Sequence, residues 1–470
     1  MSREKSFAKN TLILSIGTFL PKLASFVTLP ILTGCLTKAE YGSYDLIAVL
    51  ASLLLPAATL EIQAAVFREL IDVREDEDKI RTVVSNAVLF LVPVSIITLI
   101  ILFFCLIGQP ILLRTLICLY FFADILVNCA RQIARGLQKN IQYSVSAIVS
   151  AMGKLVFTVI CVYWLRAGLA GTIIALFCAS FASLIYLLFR LKIYRFIRPS
   201  CFDKTVLKSM ILYSWPLVPN GMSSWIMRVS DRFVVTLIMG ISANAVYAVA
   251  NRLPSILNLA QKTFTLAWQE HASVVSKDQD AGEYYSHMFK VLFNLMAGFF
   301  CLLIPVTPLL FRILIRGDYD EAYNQIPILF VATFFYSMTT FFGGIYVAYK
   351  KSGSVGITTI AAAICNLVVD LALIRRIGLY AASGSTLVSY IFLLVFRMID
   401  VQKFVSIKYD RKHIFVVLGF MTLECFLFVQ RNAIAYSLNL LIGVILFLKL
   451  NNRLVKLLLR KMKSMVIKKK

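Results

Sequence analysis

Fourteen long apolar stretches constrain the fold of this chain more than any other feature of its sequence. Most have about 18 or more residues, enough to cross the hydrocarbon core of a bilayer as a helix. Because hydrocarbon offers no hydrogen-bond partners, each stretch must satisfy its backbone groups internally, which favours α-helices. The predicted spans are 11–33, 44–67, 83–107, 110–134, 142–165, 168–189, 209–240, 243–268, 287–315, 325–349, 354–376, 378–400, 412–430 and 433–451.

The composition supports the same class of protein. Hydrophobic residues make up 60% of the 470 positions and charged residues only 15%, a balance too apolar for a soluble fold. The chain is therefore predicted to be an all-α polytopic membrane protein of about 14 transmembrane helices.

An internal repeat predicts two pseudo-symmetric lobes. Pro216 stands at the place of Pro21, and Tyr247 stands at the place of Tyr44. A repeat of six helices is even, so an axis along the membrane normal should relate the copies around a central cavity. The basic connection at 190–208 marks the boundary between them. The predicted domains are a six-helix lobe at 1–205, a second six-helix lobe at 206–405, and two accessory helices with a basic amphipathic tail at 406–470.

The distribution of positive charge predicts the orientation. Most of the 48 lysines and arginines lie in alternate loops and in the C-terminal tail, and an even number of spans puts both termini on that side. By the positive-inside rule this side is the cytoplasm. The asymmetry accounts for most of the net charge of +24, so no nucleic-acid partner is predicted. The tail is expected to lie on the anionic lipids of the inner leaflet.

Charged residues inside the predicted spans mark the candidate functional site. At about 100° per residue, Arg228, Asp231 and Arg232 fall on one face of the seventh span. Charges are costly in hydrocarbon, so this face is expected to look into the bundle or a watery cavity. The other charged residues singled out inside spans are Lys22, Lys154, Arg252, Glu61, Asp124 and Asp370. A structural cluster that only joins neighbouring helices is the alternative interpretation.

The sequence contains no catalytic or metal-binding pattern. It has no P-loop, and His271, His287 and His413 lie in or beside predicted cytoplasmic loops, where they are expected to be solvated. Asp318 and Asp320 form a D-x-D in a short outer loop, where turn and helix-cap roles are predicted. No catalytic residue, metal or cofactor is therefore predicted, and the chain is not expected to be an enzyme.

Paired prolines open both predicted lobes: Pro21 and Pro30 in the first span, and Pro216 and Pro219 in the seventh. Each proline removes a backbone donor and bends its helix. We expect them to act as hinges between inward-open and outward-open states. A static kink that shapes the cavity is the alternative.

Five segments carry a family resemblance: FLPKLASFVTLPILTGCLTKAEYGSYDLI, YSWPLVPNGMSSWIMRVSDRFVV, ANAVYAVANRLPSIL, RGDYDEAYNQIPIL and YVAYKKSGSVGITTIAAAICNLVVDLALIRRIGLYAASGSTLVS. They resemble the polysaccharide transporter family, the bacterial oligosaccharide-unit flippases of the multidrug/oligosaccharidyl-lipid/polysaccharide exporter superfamily. The resemblance implies alternating access and movement of undecaprenyl-pyrophosphate-linked oligosaccharide units from the inner to the outer leaflet of the bacterial cytoplasmic (inner) membrane. The units would serve O-antigen, capsule or exopolysaccharide synthesis. The polymerase and chain-length machinery are then candidate partners.

The implied substrate gives the interior charges a role. A pyrophosphate has several anionic acceptor oxygens, which suit arginine and lysine donors. The expected head-group clamp is formed by five cations, Arg228, Arg232, Arg252, Lys22 and Lys154, with Asp231 orienting the arginines. The remaining orienting or coupling candidates are Glu61, Asp124 and Asp370. The resemblance assigns no coupling ion.

Three alternatives remain open at this level. A peptidoglycan-precursor flippase needs the same cationic cavity. A cation-coupled multidrug exporter is expected to carry an acid in its first helix, whereas 11–33 contains Lys22 and no Asp or Glu. A membrane polymerase or glycosyltransferase needs an extended catalytic loop, and the predicted outer loops are short.

Overall fold

A computed structural model describes the backbone at residues 3–276, 278–452 and 455–456. Side chains are described at the same positions except 3–16, 18, 220, 223, 224, 227, 228, 263, 266, 267, 269, 270 and 352. Over these residues every regular element is a helix and none is a strand, which confirms the all-α prediction. The basic tail beyond 456 lies outside the described residues.

The chain packs as two compact units. Unit 1 comprises Met1–Val229 and Leu314–Gly317. Its helices are α1 (Arg3–Cys35), α2 (Lys38–Thr59), α3 (Ile62–Val73), α4 (Glu77–Cys105), α5 (Ile111–Gly136), α6 (Asn140–Thr158), α7 (Gly168–Arg190) and α8 (Lys204–Ser214). α6 continues as a π-helical segment, Val159–Trp164. α9 (Leu217–Met239) begins in this unit.

Unit 2 comprises Ser230–Ile313 and Asp318–Lys470. After the second half of α9 it contains α10 (Ile241–Ala250), α11 (Leu257–Val275), α12 (Ala281–Leu314), α13 (Asp320–Ala348), α14 (Ser352–Ile377), α15 (Leu379–Val401), α16 (Arg411–Val429) and α17 (Ala433–Leu450). The unit therefore includes the two helices that the sequence assigns to an accessory pair. The change of unit falls inside α9 rather than at 205–206, and the predicted division into two six-helix lobes stays a prediction.

Local sequence signals explain where several helices begin. The Thr37 hydroxyl accepts from the Glu40 N–H while the Glu40 carboxylate accepts from the Thr37 N–H, a capping box that starts α2. The carboxylates of Asp76 and Asp203 accept from two backbone N–H groups each and so start α4 and α8. Each cap satisfies donors that a helix N-terminus leaves unpaired.

Eleven helices of the described chain are long and apolar enough to cross a membrane, and two shorter apolar helices cover Phe19–Cys35 and Ile241–Ala250. Together with the family comparisons below, these helices identify a multi-pass membrane protein. The predicted span at 243–268 is divided because Pro254 begins a 3₁₀ turn between α10 and α11. The span at 44–67 is divided at Leu60 and Glu61, whose φ angles are 48° and 55°.

The core of unit 1 forms where α3, α4, α5 and α7 meet. Ile62, Val66 and Leu70 recur every four residues on α3 and are fully buried, as expected for the apolar face of a helix. Gly136 of α5 lies against Leu70, and a Cβ at Gly136 would lie 2.7 Å from the Leu70 Cβ. The glycine is therefore required for the close approach of α3 and α5.

Aromatic packing organises the core of unit 2. The Trp268 ring of α11 stacks on Phe341 of α13 with centroids 4.4 Å apart, and its indole N–H donates to the Phe341 carbonyl at 2.8 Å. Phe289 of α12 packs edge-on against Phe341 at 5.6 Å. Gly443 brings α17 against the Cys301 carbonyl of α12, so α17 packs directly on this unit.

Candidate functional site

A buried carboxylate of α9 forms the centre of a polar cluster in unit 2. Asp231 is 4% exposed, and its Oδ2 accepts from the Tyr247 hydroxyl of α10 at 2.8 Å and from the Thr386 hydroxyl of α15 at 2.5 Å. Burying an ionised carboxylate is unfavourable unless donors or a cation compensate it. The two hydroxyls supply part of that compensation and fix the position of Oδ2.

A second acid completes the cluster from α14. Asp370 is fully buried, and neither of its carboxylate oxygens has a hydrogen-bond partner among the described residues. Its charge and that of Asp231 are close enough to interact. One helical turn earlier, Asn366 accepts from the Ser230 hydroxyl at 3.3 Å. The structure thus brings together two of the acids predicted from the sequence.

The cluster has the chemistry of a cation-binding site. It combines two buried carboxylates with hydroxyl and amide oxygens, and one carboxylate has unused acceptor capacity. A proton on one acid, or a monovalent metal ion between them, relieves the repulsion of like charges. We call Asp231, Asp370, Asn366, Tyr247 and Thr386 the acid cluster.

Unit 1 holds a half-buried cation instead. The Lys154 ammonium of α6 donates to the Tyr44 hydroxyl of α2 at 2.7 Å and lies 5.3 Å from the centroid of the same ring. The lysine is half-buried, and a neutral phenol does not cancel its charge. A half-buried ammonium is suited to bind an anion.

The two other acids predicted in unit 1 have separate surroundings. Asp124 of α5 accepts from the Asn128 side chain at 3.2 Å and borders a small cavity lined by apolar residues of α2, α4 and α5. Glu61 lies at the break between α2 and α3 and accepts from Gln63 at 2.9 Å. The structure does not join these acids to the Lys154 and Tyr44 pair by a described hydrogen bond.

The remaining predicted cations are distributed along α1, α9 and the turn after α10. Lys22 is exposed on α1, Arg232 is half-buried beside Asp231, and Arg252 is half-buried after α10. The side chain of Arg228 lies outside the described residues. The roles of these cations in a head-group clamp, and of Asp231 as the orienting partner of the arginines, stay predictions.

Sequence reasoning missed two arginines whose described hydrogen bonds go to neutral groups. Arg397 of α15 is 5% exposed and donates to the Thr339 carbonyl at 2.9 Å and the Thr359 hydroxyl at 3.0 Å. Arg131 of α5 donates to the Ser146 hydroxyl at 3.3 Å and the Ser183 hydroxyl at 3.2 Å. The sequence counts both with the cytoplasmic cations because they lie near the ends of spans.

A buried acid in α16 was also missed. Glu424 is fully buried, and neither carboxylate oxygen has a hydrogen-bond partner among the described residues. Its backbone carbonyl accepts from the Asn439 side chain of α17 at 3.0 Å. The sequence did contain a signal for this residue, because Glu424 is the single acid inside the predicted span 412–430. Ionisable residues inside spans are rare and energetically costly.

The four prolines differ in their surroundings. Pro21 and Pro30 lie within α1, which continues through both. Pro216 lies between the end of α8 and the start of α9, and Pro219 lies in the first turn of α9. A proline in a first turn removes a donor that has no helical partner in any case. The hinge role stays a prediction for all four.

Comparisons with solved structures define the fold. An inward-facing multidrug transporter of the MATE family, in the MOP superfamily, superposes with a TM-score of 0.68 at 14% identity, covering 84% of this chain and 98% of that one. The lipid II flippase MurJ in an inward closed conformation gives 0.67 at 14% identity, covering 95% and 100%. These likenesses identify the fold of the exporter superfamily.

Sequence comparison identifies the family. No curated protein sequence matches the chain. The profile of a family described as polysaccharide biosynthesis protein matches residues 7–269, which is more than half of the chain. The chain belongs to the polysaccharide biosynthesis protein family and has the fold of the MOP exporter superfamily.

Proposed function

We propose that this protein is a flippase that moves undecaprenyl-pyrophosphate-linked oligosaccharide units from the inner to the outer leaflet of the bacterial cytoplasmic membrane. The observation that carries the proposal is the family match over residues 7–269. The family and the fold support a transporter of lipid-linked substrate, and the interior cations support an anionic head group. The units serve surface polysaccharide synthesis, and the protein acts as a transporter rather than an enzyme.

The pyrophosphate is bound by cations from both predicted lobes. Lys154 supports this role most directly, because its described partner is the neutral hydroxyl of Tyr44 and its charge is available to an anion. Arg228, Arg232, Arg252 and Lys22 complete the proposed clamp. Binding of the head group stays moderate. A head group held equally tightly in the inward-open and outward-open states would not shift the equilibrium between them.

The acid cluster supplies the proposed coupling. Asp231 and Asp370 take up a proton or a monovalent cation, which neutralises charge and favours one arrangement of α9, α14 and α15 over another. A ligand shifts a conformational equilibrium only by its difference in affinity for the two states. A carboxylate whose oxygens have no hydrogen-bond partner in one conformational state meets this requirement. A bound cation lowers the free-energy cost of burying the carboxylate in that state.

A flippase for a peptidoglycan precursor is the second candidate. The observation that favours it is the superposition with the lipid II flippase MurJ, which covers 95% of this chain and 100% of that one. The two candidates share a lipid pyrophosphate and differ in the attached sugar. The two candidates can be distinguished by whether deletion of the gene stops surface polysaccharide synthesis or peptidoglycan synthesis.

The test is deletion of the gene and complementation with the intact gene or with a Lys154→Ala variant. We expect deletion to remove mature surface polysaccharide and to cause lipid-linked oligosaccharide to accumulate on the cytoplasmic side. Complementation by the intact gene should restore the polysaccharide. Loss of peptidoglycan synthesis with normal surface polysaccharide would favour the second candidate, and loss of neither would contradict both.

A further inference from the structure

Unit 2 contains a cavity of about 230 Å³ whose lining includes no residue of the acid cluster. It lies between the second to fourth turns of α12 and the segment that leads into and begins α16. Both helices are apolar enough to span a membrane, so the cavity lies at the depth where they enter the bilayer. On the predicted orientation this is the cytoplasmic side.

The cavity is lined by more cationic than anionic groups. Lys290, Lys408, His287 and His413 contribute to its wall, and Asp410 is its acidic residue among the described lining. The Lys290 ammonium donates to Asp410 Oδ2 at 2.8 Å. That hydrogen bond lowers the pKa of Asp410, so the carboxylate is ionised at neutral pH and is matched by one lysine. The second lysine leaves the wall with net positive charge even when both histidines are neutral.

Contacts within the unit hold the wall in place. The Asp410 carboxylate also accepts from the His413 N–H at 3.2 Å and caps α16. The His413 ring bonds to the Asn294 amide oxygen at 2.6 Å and is half-buried, so it is not the solvated loop residue expected from the sequence. Lys408 donates its backbone N–H to the Ser286 hydroxyl at 2.9 Å. These hydrogen bonds therefore hold the wall of the cavity in position without a bound ligand.

The floor of the cavity is apolar, and exposed apolar residues lie beside it on α16. Phe289 and Phe293 are each 4% exposed and form part of its floor. On α16, Phe415 and Val416 follow directly after the lining residue Ile414 and are 73% and 59% exposed. In a membrane-spanning helix such side chains face lipid. The cavity thus joins a basic wall to a surface suited to acyl chains.

We propose that this cavity binds the phosphate head group of an anionic phospholipid, with the acyl chains lying along the exposed apolar face of α16. A phosphodiester carries one negative charge and accepts charge-assisted hydrogen bonds from lysine and histidine. Basic pockets between transmembrane helices on the cytoplasmic side bind lipid head groups by the same chemistry. The position of the site and the exposed apolar residues beside it on α16 favour a lipid over a phosphate in solution.

The experiment uses the purified full-length protein in neutral detergent. Native mass spectrometry measures binding of phosphatidylglycerol and of phosphatidylcholine to the intact protein and to a Lys408→Gln, His287→Gln variant. Both replaced side chains are exposed and lie outside the Lys290–Asp410 pair. We expect the variant to bind phosphatidylglycerol about tenfold more weakly, because it loses a charge-assisted contact. The matched control is Lys79→Gln, which removes an exposed cation of unit 1 and should bind as the intact protein does.

Three outcomes would overturn the proposal. Unchanged phosphatidylglycerol binding by the double variant, or equal binding of phosphatidylcholine by the intact protein, would overturn it. Full competition by inorganic phosphate would assign the cavity to a soluble anion and would also overturn the lipid. If the double variant does not fold, Lys408→Met keeps the apolar stem and repeats the test. None of these results depends on which substrate the protein transports.

Discussion

Two tyrosines at matching places of the internal repeat meet opposite charges. In unit 1 the Tyr44 hydroxyl accepts a hydrogen bond from the Lys154 ammonium at 2.7 Å. In unit 2 the Tyr247 hydroxyl donates to the Asp231 carboxylate at 2.8 Å. A phenol can act in both ways, so one residue type at one place in the repeat serves a cation in the first unit and an anion in the second.

We propose that the difference reflects a division of roles between the units. The site in unit 1 contains an amine and suits an anionic head group, whereas the acid cluster of unit 2 contains two carboxyl groups and suits a proton or a metal cation. Each tyrosine fixes the position of its partner, and the chemistry of the partner decides what binds.

The largest expected effect comes from removing the cation of unit 1. Lys154→Ala should lower flipping by about tenfold to a hundredfold, because a hydrogen bond to a charged group contributes about 1.5 to 3 kcal/mol. Arg228→Ala should have a similar effect, and Arg228→Lys should restore it in part. The measurement is mature surface polysaccharide in cells that contain normal amounts of each variant. Intact polysaccharide after separate alanine changes at all five predicted cations would exclude an anionic substrate.

The next effect separates the acid cluster from the cation site. Asp370→Asn keeps the shape of the side chain and removes its charge, so a cation gradient should no longer accelerate transport. We expect roughly a tenfold loss of gradient-driven flipping, measured in proteoliposomes with imposed proton or sodium gradients. Glu424→Gln in α16 removes the charge of a buried acid outside the acid cluster and is the matched control, which should keep the dependence on the gradient. A full response of Asp370→Asn to the gradient would remove the acid cluster from coupling.

A smaller effect tests the tyrosines themselves. Tyr44→Phe and Tyr247→Phe each remove one hydroxyl and leave the ring in place. We expect each variant to change one kinetic parameter of transport by about twofold to tenfold. Tyr44→Phe should alter the apparent affinity for the lipid-linked substrate. Tyr247→Phe should instead alter the cation concentration that gives half-maximal transport. If both variants changed the same parameter, the division of roles between the units would be wrong.

The smallest expected effect concerns the prolines that occupy matching places. Pro216 lies at a break between α8 and α9, whereas α1 continues through Pro21. Pro216→Ala should therefore favour a continuous helix and change transport by about twofold to fivefold, and Pro21→Ala should change it less. The distribution of inward and outward states, measured by distances between spin labels, provides the readout. No change in transport or in the distribution for Pro216→Ala would contradict the hinge.

The sequence was sufficient to predict the helical fold and to single out the two acids of the acid cluster in unit 2. Apolar length predicts the spans, and the rarity of acids in spans identifies Asp231 and Asp370. The repeat also pointed to Tyr247. It did not indicate Thr386, because the hydroxyl lies 155 residues along the chain from the carboxylate that it binds. Contacts between helices that are far apart in the sequence can be predicted only when it is known which helices pack together.

Two other features had no usable signal in the chain. The break between α2 and α3 falls at Leu60 and Glu61, neither of which is a glycine or proline, although both adopt positive φ. The arginines near the ends of spans gave no sign of their environment. The hydroxyls that bind Arg397 come from the preceding helix, α14, and no motif or helical period in the sequence links them to Arg397. The structure of each unit was needed to distinguish these buried cations from solvated ones.

The two arginines that donate hydrogen bonds to neutral groups have a mechanical consequence. Arg131 links α5 to α6 and α7, and Arg397 links α15 to α13 and α14. Separating either set of helices would leave a guanidinium, half-buried at Arg131 and buried at Arg397, with unsatisfied donors, at a cost of several kcal/mol. We therefore expect slow amide hydrogen exchange where these helices cross and faster exchange at the α8–α9 break. Slow exchange at the two crossings would mean that each three-helix group keeps its internal geometry during a transport cycle while the deformation falls elsewhere.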